Sequence, residues 1–245
     1  MLTTLSPFVY SYASIIAKTG MSLAFFLTLQ QIYQSYWQFE KKQTMWYLIH
    51  FSGNAVIVLL TAPDMVYSFL DPLSSANHLV DYHSPFCWSS YPIYLMVALH
   101  LFHIIYYYHD LVILDWIHHG LNCGIIGSLC IFYLQCRLSN HGLFFMCGLP
   151  GGIDYFLLFI NDLGYIRRIT EKKINTYLNM YLRLPGIIAN CLIGIFCYLY
   201  VENLHISFGV GLIIILGNYW NAVFFAYRVV QNYGIHLALQ QRKIY

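Results

Sequence analysis

The chain is a succession of long apolar runs broken by short polar links. A helix needs about 20 mostly apolar residues to cross a bilayer. On that criterion the pattern predicts about seven spans, near 12–37, 45–69, 90–109, 111–134, 142–163, 176–200 and 206–230. The fold class implied is all-α, a polytopic membrane bundle. It comprises a first transmembrane helix and its link over 1–44, the main bundle over 45–230 and a tail over 231–245. Tyr33, Tyr36 and Trp37 end the first run with side chains that favour the headgroup region, and Glu40, Lys41 and Lys42 close it.

Polar residues inside these runs need partners, because an unsatisfied polar group in hydrocarbon costs several kcal/mol. They concentrate around Tyr106, Tyr107, Tyr108, His109 and Asp110, followed after four apolar residues by Asp115, His118 and His119. On a helix Asp115, His118 and His119 fall at i, i+3 and i+4 and share one face. The carboxylate can fix the tautomer of one imidazole and leave the other to exchange protons near neutral pH. The same three residues also suit a polar knot between helices in lipid. His100 and His103 lie one turn apart in the third run, and the short link to the fourth makes these two helices antiparallel neighbours. That brings His100, His103, Asp110, Asp115, His118 and His119 within reach of one another. His50 is a further pocket candidate in the second run, whereas a helix-to-helix hydrogen bond accounts for Asn54.

Pro150, Gly151 and Gly152 put a weak point in the fifth run, just before Asp154. Asp154 then serves as a partner for Arg183 or a tyrosine, or as a second acid in the pocket. Arg183 sits about two turns inside the sixth run, before Pro185 and Gly186. At that depth it is paired, snorkels, or holds an anionic group.

Composition confirms the membrane reading. Charged residues are 9% of the chain and hydrophobic residues 59%, whereas a soluble domain carries about 25% charged residues. The net charge of +2 and the short Lys and Arg clusters exclude nucleic acid as a partner. Residues 1–7 lack the basic region and cleavage site of a removable signal, so the first spanning helix is expected to direct insertion. The seven cysteines form no C-x-x-C pair and read as small apolar side chains. Cys87, Cys136 and Cys147 fall near one side and can pair if that side is oxidising. The link over 70–90, with Asp71, Asp81, His78 and His83, reads as solvated and matches no zinc spacing. Lys41, Lys42, Arg167, Arg168, Lys172, Lys173, Arg242 and Lys243 fall on one side of the alternating helices, opposite Asp71, Asp81, Arg137 and Glu202. The positive-inside rule makes the basic side, and with it the C-terminus, cytosolic.

From Trp46 to Arg228 the order of these features resembles the TLC-domain family, which includes ceramide synthases, translocation-associated membrane proteins and lipid-homeostasis proteins. The residues that carry the resemblance are the Tyr-rich helix ending in His109 and Asp110, Asp115 before the paired His118 and His119, then Arg137, Asn140 and Gly142, the acid Asp154, the basic loop and Arg183. The resemblance implies residence in the endoplasmic reticulum, a role in lipid homeostasis, and a lipid or acyl chain held in a polar intramembrane pocket by His50, His100, His103, Asp110 and Arg183. An enzymatic member would transfer an acyl group, with His118 or His119 as general base and Asp115 or Asp154 orienting it. Acyl-CoA would then be a substrate, and no cofactor or metal ion is implied. Ceramide synthases carry His-Asp-x-x-Asp after the paired histidines, and residues 150–154 keep only the last acid, Asp154, which favours lipid binding without catalysis. The segment 115–119 is also similar to the His-x-x-His-His box of fatty-acid elongases, with Asp115 at its first position. A transporter would use the intramembrane acids and histidines as an ion path and Pro150 as a helix break, but no internal repeat accompanies them. The partners implied are membrane lipids, with other membrane proteins or further copies of the chain.

Overall fold

A computed structural model describes residues 7–39, 41–202, 204 and 206–242. Residues 1–6, Glu40 and Lys243, on which parts of the insertion and charge reading rest, lie outside the described residues. Those described form helices and no strand: α1 (Pro7–Tyr36), α2 (Lys42–Leu70), α3 (Tyr91–Tyr107), α4 (113–133), α5 (Arg137–Asp162), α6 (Arg168–Tyr200) and α7 (Phe208–Arg242). Six of them are long and apolar enough to cross a membrane, and the chain is an all-α, multi-pass membrane protein. The run expected over 111–134 is the exception. It is helical as α4, but Asp115, His118 and His119 in its first turns dilute its apolar content. α7 continues unbroken to Arg242, so the expected tail is helical from residue 231 to that point.

Ile16, Leu59, Ile105, Ile125, Leu192 and Leu216 are exposed on the outer faces, while Asn54, Asp64, His103, Asn140 and Arg183 are buried. Apolar side chains outside and polar ones inside suit a hydrocarbon surround, where each buried polar group still needs a partner.

The alternating helices create two ends. One gathers the links α1–α2, α3–α4 and α5–α6 and carries Lys41, Lys42, Arg167, Arg168, Lys172 and Lys173. Lys41 Nζ lies 2.8 Å from Asp162 Oδ1 there, and Thr44 donates to the same carboxylate. At the other end Leu79 N–H donates to Gln135 C=O at 2.9 Å and the Cys197 thiol lies 3.6 Å from Pro72 C=O.

The link over 71–90 is therefore a cap folded onto the bundle, with Asp71, His78 and Asp81 left exposed to solvent as expected. Its Tyr82 is 1% exposed, and Lys18 of α1 is as deeply buried beside it. Lys18 Nζ donates to Tyr82 C=O at 2.6 Å and to Ser90 Oγ at 2.5 Å, with the rings of Tyr82, Tyr91 and Tyr94 5.3–5.7 Å away. Two hydrogen bonds and an aromatic cage together hold a cation that lipid would not accept. His83 also leaves solvent: burial and the nearby Lys18 and His78 hold its imidazole below the usual range, and its Nε2 lies 3.1 Å from Ser11 Oγ. His78 pairs with Gln135 Oε1 at 2.9 Å. A second pin lies nearby. Asn140 Nδ2 of α5 donates at 2.7 Å both to Asp64 Oδ2 of α2 and to Ser89 C=O. Arg137 Nε is 3.4 Å from the same carboxylate, and its guanidinium lies 4.3 Å over the Tyr67 ring.

Pro150 and Pro185 do not break their helices. Each follows a π-helical turn, Phe144–Gly148 in α5 and Asn179–Arg183 in α6, and each is the middle residue of a Leu-Pro-Gly triplet, 149–151 and 184–186. A proline removes one backbone bond and crowds the carbonyl four residues back, and widening the preceding turn relieves both effects. The glycines that follow let the helices close up. A Cβ at Gly186 would sit 2.2 Å from the Phe145 ring, inside the α5 π-turn, and one at Gly151 would sit 3.1 Å from Asn54 Nδ2. A third π-helical segment, His119–Gly127, occupies the middle of α4. All seven cysteines are free thiols. Cys147 lies in the α5 π-turn, away from Cys87 and Cys136, because the spacing that placed it near the helix end ignored how early α5 begins.

Candidate functional site

The three π-helical segments border one cavity of about 210 Å³ inside the bundle. Its half towards the basic end is polar, formed by His50, His100, His118, Asp154, Tyr155 and Arg183. The remainder is walled by apolar side chains such as Ile57, Met96, Leu99, Ile126 and Leu143. A smaller cavity of about 40 Å³ shares Leu134, Asn190 and Asn218 with it and extends the apolar part towards the capped end.

The histidines converge as the short α3–α4 link predicts. The His100 ring centroid lies 5.0 Å from that of His119, 5.5 Å from His118 and 5.8 Å from His103. His103 is 5.6 Å from His119 and stacks on His50 at 4.1 Å. Three rings share one anchoring. Nδ1 of His50, His100 and His119 each donates to the backbone carbonyl one turn earlier, Trp46 at 2.9 Å, Met96 at 2.7 Å and Asp115 at 2.5 Å. That hydrogen bond fixes the tautomer with an unprotonated Nε2, a basic nitrogen. Nε2 of His119 and both ring nitrogens of His103 are buried without a partner. Among the described residues, no three His, Cys, Asp or Glu side chains converge closely enough to hold a metal ion.

The acids divide. The Asp115 carboxylate is engaged by the backbone. Oδ2 accepts from the Val112 N–H at 3.1 Å and caps the start of α4, and it is the Asp115 backbone carbonyl that holds His119. The reason is where the helix begins: α4 starts at Ile113, which puts Asp115 in its first turn, where backbone N–H groups compete for a carboxylate. Asp110 is exposed beyond the end of α3. Both acids line an outer vestibule of about 470 Å³ with Lys42, Trp46, Tyr107 and Tyr155, away from the histidines' cavity. Tyr155 lines both spaces, and a stack of Trp46, His50 and Tyr155 separates them, with centroids 5.6 Å and 3.9 Å apart.

Asp154 lies on the cavity wall beside the Asn175 amide, its Oδ1 buried without a partner. It does not pair with Arg183: among the described residues no ion pair joins them. Arg183 Nη1 donates instead to Asn179 Oδ1 at 2.5 Å, and Asn179 Nδ2 donates to Asn175 Oδ1 at 2.6 Å. With buried Glu171, these residues form a polar ladder at spacing four up one face of α6, from the basic loop into the cavity. Sequence reasoning named only Arg183 of the four, although the spacing was visible. It also passed over Tyr155, Lys18 and Asp64. Asn54 packs on Gly151 and Gly152 and lines the cavity, and among the described residues it bridges to no other helix.

No family model, curated protein or solved structure matches this chain. The functional reading therefore rests on the cavity and its chemistry.

Proposed function

We propose that this chain is a TLC-like membrane protein of lipid homeostasis that houses a single lipid or acyl chain inside its bundle. The observation that carries this is the polarity of the cavity. One half offers imidazoles, a carboxyl and a guanidinium, and the other is mostly apolar, with the amides of Asn190 and Asn218 where it leads into the second cavity. That gradient matches an amphiphile with its head among His100, His118 and Arg183 and its tail towards the capped end. His50 and His103 close the head region, and Asp110 and Asp115 belong to its outer approach.

A second reading, acyl transfer, is favoured by one feature. Imidazoles anchored through Nδ1 present a basic Nε2, as a general base requires. His119 would take the proton from an attacking hydroxyl or amine while the new acyl bond forms and a thiolate, such as that of acyl-CoA, leaves. His118→Ala with His119→Ala separates the two readings by untargeted lipidomics on membranes matched for protein level. Under lipid binding, both proteins shift the same lipid classes. A class that changes only with the intact histidines makes the protein an enzyme and names its product.

The same proposal places the basic end in the cytosol and the protein in the endoplasmic reticulum. A tag after Tyr245 is expected to be digested by protease added to sealed microsomes. Protection of that tag reverses the topology.

A further inference from the structure

The side-on edge of the Arg183 guanidinium is left unused. Arg183 is 9% exposed and lines the cavity. Its one hydrogen bond leaves through Nη1 to Asn179, which is itself held by Asn175. Nε is buried with no partner, and no hydrogen bond among the described residues reaches Nη2. Nε and Nη2 are the pair that receives two oxygens in a bidentate contact. The nearest acid, Asp154, leaves that pair open, Phe225 lies 5.7 Å from the guanidinium carbon, and Gly151 keeps the space beside Nη2 clear. An arginine in such a place costs several kcal/mol unless its charge and donors are met. The Asn175–Asn179 ladder orients the guanidinium without neutralising it.

We infer that the side-on edge of Arg183 receives the carboxylate of a single-chain fatty acid, whose tail follows the apolar part of the cavity. This rests on the lipid-binding reading and names the head group. A carboxylate is flat and carries two oxygens at the spacing of the Nε–Nη2 fork. A phosphate monoester also offers oxygens, but its charge of about −1.5 to −2 would meet Asp154 in the same cavity. A fatty alcohol has the tail and lacks the anion.

The test uses the full chain purified in detergent, with radiolabelled oleate, oleyl alcohol and oleoyl lysophosphatidic acid as probes. Wild type is expected to bind oleate at least tenfold more tightly than oleyl alcohol. Arg183→Gln is expected to lower oleate affinity to that of oleyl alcohol and so remove the preference. Arg183→Lys keeps the charge but loses the fork and falls between. A melting temperature and size-exclusion profile close to wild type report an intact fold. If Arg183→Gln does not fold, the wild-type preference and the Arg183→Lys result decide. Equal affinity of wild type for oleate and oleyl alcohol overturns the inference and leaves lipid binding standing. Tighter binding of lysophosphatidic acid, lost in Arg183→Gln, overturns the carboxylate in favour of phosphate. Binding of no probe overturns this inference and the lipid-binding reading together.

Discussion

Gly186→Ala is expected to destabilise this bundle strongly although it adds only one methyl group. The new Cβ would sit 2.2 Å from the Phe145 ring, inside the π-turn of α5, a separation that no rotamer of alanine can relieve. Phe145 is itself boxed in by Phe144, Phe69 and His141, with centroids 5.0, 6.4 and 5.1 Å away, so its ring has nowhere to go. Overpacking of this kind costs about 1–3 kcal/mol, and more where both backbones are fixed. The expected readout is a large fall in the melting temperature of the detergent-purified protein, followed by size exclusion. Adding Phe145→Leu removes the clashing ring and is expected to restore part of the loss. A melting temperature unchanged in Gly186→Ala would mean that α5 and α6 are not locked together there.

Asn140→Leu is the second large effect. Asn140 is 1% exposed and spends both donor bonds on buried acceptors, the Asp64 carboxylate and the Ser89 carbonyl. Leucine matches its volume closely but satisfies neither. A lost hydrogen bond to a charged acceptor and an unmet buried carbonyl together cost about 3 kcal/mol. The half-exposed Arg137 cannot compensate, because it reaches only the other carboxylate oxygen, at 3.4 Å. The expected result is a lower melting temperature and easier proteolysis of the 71–90 cap. Asp64→Asn in the same background removes the buried charge and is expected to recover part of the stability. Additive losses in the double variant would show that Asn140 does not act through Asp64.

These two sites mark the limits of sequence reading. The spans were legible because a bilayer imposes a length on apolar runs that few links can imitate. The histidine cluster was legible for a local reason: the link between α3 and α4 is too short to let His100 and His118 part. Asp64 and Lys18 were not, since a lone charge in an apolar run gains meaning only from partners 76 and 64 residues away. The capping role of Asp115 was missed because nothing in its neighbourhood announces that α4 begins at Ile113. Pro150 was read as a weak point in its run, and Pro185 only as following Arg183. Each has a preceding turn that widens instead, and whether a turn can widen depends on the neighbouring helix. Arg183 was singled out, but the partner proposed for it, Asp154, stands aside, and the ladder through Asn179 and Asn175 has replaced it.

The caged lysine also sets an order of events during synthesis. Lys18 leaves the ribosome within the first apolar helix, yet its acceptors, Tyr82 and Ser90, follow 64 and 72 residues later. At about 5–20 residues per second, that is a wait of roughly 3–15 s. Until then the ammonium has no cage, and holding it in hydrocarbon costs about 2.5–3.5 kcal/mol. α1 thus emerges before its own dock exists, and it settles only when the cap and the start of α3 arrive to receive it.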